Sequence, residues 1–186
     1  MRSRESIITE FKDPVHVSMR RNTETYAATA AYVFAELSRL VTQYNTDGEN
    51  NEQLRRLIRE NVDQHLRRYH KYCIKGKIGA HYIDIDLKDK DVFEHIVPIK
   101  NIRDLLLHNI VSPWEACNAP TCKLSYENDV LLKETGWNST TPDKYYFWKR
   151  YEYCFPIEGK FRTWNGYPVD TTMTLSDHWN LIGGID

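Results

Sequence analysis

Between Thr23 and Tyr44 the apolar positions Tyr26, Ala30, Val33, Phe34, Leu37, Leu40, Val41 and Tyr44 recur every three or four residues. That spacing gathers side chains on one face of an α-helix. The stretch NTDGEN, residues 45–50, breaks the stripe with turn-forming residues. A second stripe, Leu54, Leu57, Ile58, Val62, Leu66 and Tyr69, then runs toward Gly76. Together they predict an N-terminal helical hairpin over 23–77.

Past Gly79 the period drops to two: Tyr82, Asp84, Asp86 and Lys88 alternate with Ile83, Ile85 and Leu87. Such alternation predicts a half-buried strand with its acids on the wet side. A second extended piece follows at Val92–Val97, and NIRDLLLHNI reads as a short helix. VSPWEACNAPTCKLSYEN, rich in Pro, Asn and Ser, reads as a loop; DVLLKE, Asp129–Glu134, reads as a strand that Gly136 ends. Thr141-Pro142-Asp143 opens a helix from about Pro142 to Tyr153. Beyond Pro156 no period is sustained. The expected class is α+β in a single domain over 1–186: the hairpin, a central core over 82–153 with an inserted loop, and an irregular C-terminal extension over 154–186.

Composition supports a packed core, since 41% of the 186 residues are hydrophobic and 12% aromatic. No apolar run approaches the roughly 18–20 residues that cross a bilayer, and Met1-Arg2-Ser3-Arg4-Glu5 leads into no signal-peptide core. A cytoplasmic protein without a membrane partner is expected. The net charge of −1 hides a basic stretch, residues 51–77, with eight Lys or Arg against three Asp or Glu. Arg55, Arg59, Arg67 and Lys71 on the second helix fall mostly away from its apolar stripe, and Lys144 and Lys149 sit on the third. Such residues neutralise phosphates without reading sequence, or simply face water. Of Cys73, Cys117, Cys122 and Cys154, only CNAPTC is closely spaced, at the loose end of zinc-knuckle spacing. Free thiols are expected, with structural Zn²⁺ the lesser alternative.

DVFEHIVP, Asp91–Pro98, sets a Glu-His pair inside an apolar segment. An unpaired charge there costs several kcal/mol, so the pair faces water or serves a purpose. EHIVP, followed later by ENDVLLKETGWNSTTP, resembles the HNH or ββα-metal endonucleases, and in particular the asparagine-bearing HNH domain of RNA-guided CRISPR nucleases. Glu94 stands where Asp is more usual. The resemblance covers 82–153 and implies metal-dependent hydrolysis or nicking of DNA, with RNA left open. It implies His95 as general base, and Glu94 and Asn138 as oxygen ligands of Mg²⁺ or Mn²⁺. The chemistry is consistent: imidazole titrates near neutrality, and a hard divalent cation stabilises a leaving oxygen. DKYYFWKRYEY lacks the His or Asn that many members carry on the helix. Asn128 therefore competes with Asn138, and His108 in the inserted segment ranks third. Lys100 is a candidate partner for Glu94 should the pair be structural. The rival reading is a non-catalytic nucleic-acid-binding accessory protein that keeps an HNH-like fold. Nothing in the sequence fixes the oligomeric state.

Overall fold

A computed structural model describes residues 23–88 and 90–183; the reading of residues 1–5 lies outside them. The described residues of Met19–Lys77 and Ile99–Asn118 form one compact unit, and those of Ile78–Pro98 and Ala119–Asp186 the other.

The first unit is helical. Helix α1, Thr23–Thr46, runs to a turn where Gly48 N donates to the Gln43 carbonyl at 3.0 Å. A Cβ at Gly48 would lie 2.6 Å from the Tyr44 carbonyl oxygen, which is why glycine occupies that turn. Asn51 caps α2, Glu52–Tyr69, by accepting from Leu54 N at 2.9 Å. Most of each predicted stripe is buried: Val33, Leu37, Leu40 and Tyr44 from α1, and Ile58, Val62, Leu66 and Tyr69 from α2; Leu57, placed in the second stripe, is instead exposed. Where the sequence predicts one helix to Gly76, the last turns widen into a π-helix, His70–Lys75, followed by the single turn α3, Gly76–Ile78.

NIRDLLLHNI, read as a short helix, falls largely in α4, Ile99–Leu107, while PWEAC, read as loop, forms α5, Pro113–Cys117; both join the helical unit. Ser112 and Glu115 make a reciprocal capping box around Pro113, which explains a helix inside a Pro-containing stretch. Asn45 Nδ2 donates to the Leu107 carbonyl at 3.0 Å, tying α1 to α4.

The second unit is built on a four-stranded mixed sheet in the order β2-β3-β1-β4. The strands are β1 Tyr82–Asp84, β2 Asp91–His95, β3 Thr121–Ser125 and β4 Phe161–Thr163. Strand β3 pairs antiparallel with β2 and parallel with β1, and β4 pairs antiparallel with β1. Its helices are α6 Tyr126–Glu134, α7 Lys149–Glu152 and α8 Leu175–Ile182.

Several expectations are corrected. TCKLS, read as loop, is β3, and DVLLKE, read as a strand, belongs to helix α6. The helix expected over Pro142–Tyr153 is only the four residues of α7. The C-terminal extension supplies β4 to the sheet and an eight-residue helix with a Thr174–Asp177 capping box, so it is not irregular. Strand β1 stops at Asp84, and its polarity is the reverse of the one predicted: Asp84 is buried while Ile85 is exposed.

The Asp84 carboxylate accounts for that reversal. Its Oδ1 accepts from Asp86 N at 2.9 Å, and its Oδ2 accepts from Ser125 N at 3.0 Å and from Asn128 Nδ2 at 2.7 Å. A carboxylate so supplied with donors is tolerated in a core. It pins the end of β1 to the end of β3 and the first turn of α6.

Candidate active site

Glu94 and His95 close strand β2, one of the two edge strands of the sheet. Neighbouring residues on a strand point to opposite faces, and the contacts follow that rule. His95 stands edge-on to Phe93, two residues back, with ring centroids 5.5 Å apart. It is half-buried and sits opposite Thr121 of β3. Glu94 sits opposite Cys122 and turns toward α7, where Arg150 Nη2 donates to Glu94 Oε1. Lys100 is not its partner.

Aromatic packing places Arg150. Trp148 lies against Phe161 with centroids 4.6 Å apart and against Tyr82 at 5.1 Å, and Tyr151 against Phe161 at 5.7 Å. With Phe147, Trp148 and Tyr151 all buried, the short helix α7 is fixed and Arg150 between them points into the interior. Arg150 Nε and Nη1 are buried without a hydrogen-bond partner among the described residues. Burial pulls the guanidinium down, yet Tyr151 and Glu94 outweigh it and hold Arg150 above its ordinary value. Desolvation pushes the Glu94 carboxyl above the usual range, against the opposing pull of Arg150.

Helix α6 supplies the rest of the Glu94 environment. Asp129 and Lys133 both act on the Glu94 charge, and they ion-pair with each other at 2.5 Å, one turn apart on α6. Asp129 is buried at 2% exposure, so Glu94 and Asp129 are two desolvated carboxylates in one electrostatic neighbourhood. Arg150 engages Oε1 of Glu94 and Lys133 engages Oδ2 of Asp129; no other hydrogen bond to either carboxylate is formed among the described residues. An oxygen donor set of this kind suits a hard cation such as Mg²⁺ or Mn²⁺, with Lys133, on the solvent side, the counter-ion such a cation would replace.

The expected ligands fare differently. Asn138 lies in an exposed turn five residues beyond Lys133, and no contact joins it to Glu94 or His95. Asn128 is committed to Asp84 through its amide. His108 belongs to the helical unit, where its Nδ1 is 2.7 Å from the Asp104 carbonyl. Sequence reasoning passed over Asp129 and took Arg150, with Lys144 and Lys149, for a phosphate contact or a solvated cation, whereas it is buried against Glu94. The capping serine before YEND was a usable signal for α6 and hence for Asp129; nothing local marked Arg150.

The cysteines do not assemble. Cys122 Sγ is 3.5 Å from the Tyr151 hydroxyl, Cys154 Sγ lies 3.1 Å from the Arg150 carbonyl, and Cys73 and Cys117 neighbour each other in the helical unit. Among the described residues no group of three or more His, Cys, Asp or Glu side chains could hold a metal ion, and all four thiols are free. A two-carboxylate site completed by water falls below that count.

The expected phosphate contacts divide. Arg55 stacks over the Tyr44 ring at 5.1 Å, and Arg59 bonds to Glu52 at 2.8 Å and to the Tyr44 hydroxyl at 3.0 Å. Both therefore brace the hairpin. Arg67, Lys71 and Lys144 are exposed, and Lys149 pairs with Glu152 at 2.7 Å. Among the described residues no helix is long and apolar enough to cross a membrane. Comparison with family models, with curated proteins and with solved structures yields no match for the chain.

Proposed function

We propose that the chain is a metal-dependent endonuclease of the HNH type that hydrolyses or nicks DNA phosphodiester bonds at Glu94 and His95. One observation carries the reading: β2, ending in Glu94-His95, pairs antiparallel with β3, and β3 runs directly into α6, whose buried Asp129 acts on the Glu94 charge. That is the strand, strand, helix order the resemblance implies, reached through a different strand and helix from those the sequence suggested.

In this reading Glu94 and Asp129 hold Mg²⁺ or Mn²⁺, with Asp129 in the place first given to Asn138. The bound cation supplies charge stabilisation for the phosphoryl and leaving oxygens. His95 in its neutral form accepts the proton of the attacking water. Because β2 is an edge strand, a phosphodiester laid across that edge meets side chains from both faces of the sheet, which reconciles the opposite facing of Glu94 and His95. Arg150 fixes the Glu94 carboxylate from beneath. Supercoiled plasmid with Mg²⁺ or Mn²⁺ tests the reading: relaxation that EDTA blocks and His95→Ala abolishes supports it, and intact plasmid under all conditions rejects it.

One observation favours the rival, a non-catalytic nucleic-acid-binding accessory protein. Arg150 already neutralises Glu94, as a structural ion pair would. Salt-sensitive DNA binding with intact plasmid is its signature.

A further inference from the structure

The helical unit carries a charged surface with no part in the site above. From Gln64 to Ile83 the sequence contains no Asp or Glu and five cations: Arg67, Arg68, Lys71, Lys75 and Lys77. Elsewhere in the unit arginines meet acids. Arg39 pairs with Glu36 at 2.9 Å, Arg56 with Glu60 at 3.2 Å, Arg59 with Glu52 at 2.8 Å and Arg103 with Asp63 at 3.1 Å. Asp63, the acid one turn before Arg67, bonds directly to Arg103, and Arg67 acts on its charge only through space.

Arg67, Arg68, Lys71 and Lys75 are all exposed on the last turn of α2 and the π-helix that continues it. On the neighbouring α1, residues 26–35 between Glu24 and Glu36 are uncharged, and the Tyr26 hydroxyl donates to the Gly76 carbonyl at 3.4 Å. Tyr72 is 52% exposed among these cations, with the Lys71 ammonium 5.2 Å from its ring centroid. From Arg67 to Lys75 the helix rises roughly 12 Å at about 1.5 Å per residue. Four long cationic side chains reaching out from that length bring three to four phosphates of a duplex strand within range.

We propose that Arg67, Arg68, Lys71 and Lys75 form a backbone clamp that takes up three to four consecutive phosphates of nucleic acid without reading its sequence. The Arg55–Arg59 end of the same helix is structural. The choice of nucleic acid over another polyanion rests on the nuclease reading; the surface itself does not.

Binding of the full chain to a labelled duplex of mixed sequence in EDTA, followed by fluorescence anisotropy as salt rises, tests the clamp without cleavage. The expected slope of log K against log salt is about −3, at roughly −0.9 per phosphate neutralised. The double variant Arg67→Gln/Lys71→Gln flattens it by about 2 and weakens binding at low salt by about tenfold or more. Arg55→Gln/Arg56→Gln removes the same charge from the other end of the helix and leaves the slope within about half a unit. Equal losses in both double variants, or none in the first while its circular dichroism matches the native protein, overturn the clamp. So does binding to vesicles of anionic lipid with none to DNA. The two proposals fail separately: a clamp that binds with no cleavage in Mg²⁺ sinks the nuclease alone. Cleavage with an unchanged KM in Arg67→Gln/Lys71→Gln sinks the clamp alone.

Discussion

The guanidinium of Arg150, fully buried, donates to the carboxylate of Glu94, whose side chain is 16% exposed. The two residues stand 56 apart in the chain and join edge strand β2 to α7. Removing one member of a buried pair leaves the other charge without compensation, at a cost of about 3–5 kcal/mol. Arg150→Met is expected to lose that much. Adding Glu94→Gln to it is expected to recover a large share, because the stranded carboxylate is gone. Urea denaturation of the two single variants and the double gives the coupling directly. Additive losses would mean that the pair is not formed in solution.

Asp84→Ala is expected to destabilise by about 3 kcal/mol or more, since it strands the Ser125 amide and the Asn128 side chain in the core. Asp84→Asn keeps the shape, but its amide nitrogen meets donors where an acceptor is needed, so it recovers only part. Thermal or urea unfolding checks the order: native, then Asn, then Ala.

Acid should loosen the helical unit through His70. Burial lowers its pKa from 6.5 to about 4, against a hydrogen bond to the Cys117 backbone that raises it. The folded form therefore binds fewer protons than the unfolded one between those values. The associated stability is complete above about pH 6.5 and is lost as pH falls toward 4, amounting to about 3 kcal/mol. His70→Gln removes the titration, so its urea midpoint should fall less than the native protein's between roughly pH 7 and 4.5. Parallel curves for the two proteins would contradict this.

The helical hairpin was legible because its buried faces are almost purely apolar: Val33, Leu37 and Leu40 on one helix, Ile58, Val62 and Leu66 on the other. Burial is then the periodicity itself. Strand β2 was legible for its extended apolar run, and with it the placement of Glu94 and His95. Helix α6 was not, because its buried positions are Asn128, Asp129 and Leu132, so two polar residues interrupt the stripe that would have announced it. Strand β3 carries only Cys122 and Leu124 as apolar residues before Ser125 turns the chain into the helix. Capping boxes at Ser112–Glu115 and Thr174–Asp177 stood in the sequence and would have placed α5 and α8. Arg150 sits beside Lys149 in DKYYFWKRYEY with nothing local to tell the buried cation from the exposed one. Its partner is far away in sequence, and such pairings are set by tertiary packing.

The metal reading has its own check apart from cleavage. Mn²⁺ is expected to raise the melting temperature of the native protein, with a smaller rise in Glu94→Gln and Asp129→Asn and an unaltered one in Asn138→Ala. An Asn138 variant that loses the Mn²⁺ effect while Asp129→Asn keeps it would restore the ligand set first read from the sequence.

The most direct measurement is chemical rescue at position 95: the nicking rate of supercoiled plasmid in Mg²⁺ by the native protein and by His95→Gly, with and without added imidazole. Native nicking, silence in the variant, and nicking restored in proportion to the free base of imidazole are the expected results. A native protein that leaves plasmid intact, or a variant that nicks at the native rate without imidazole, would contradict a proton-accepting role for His95.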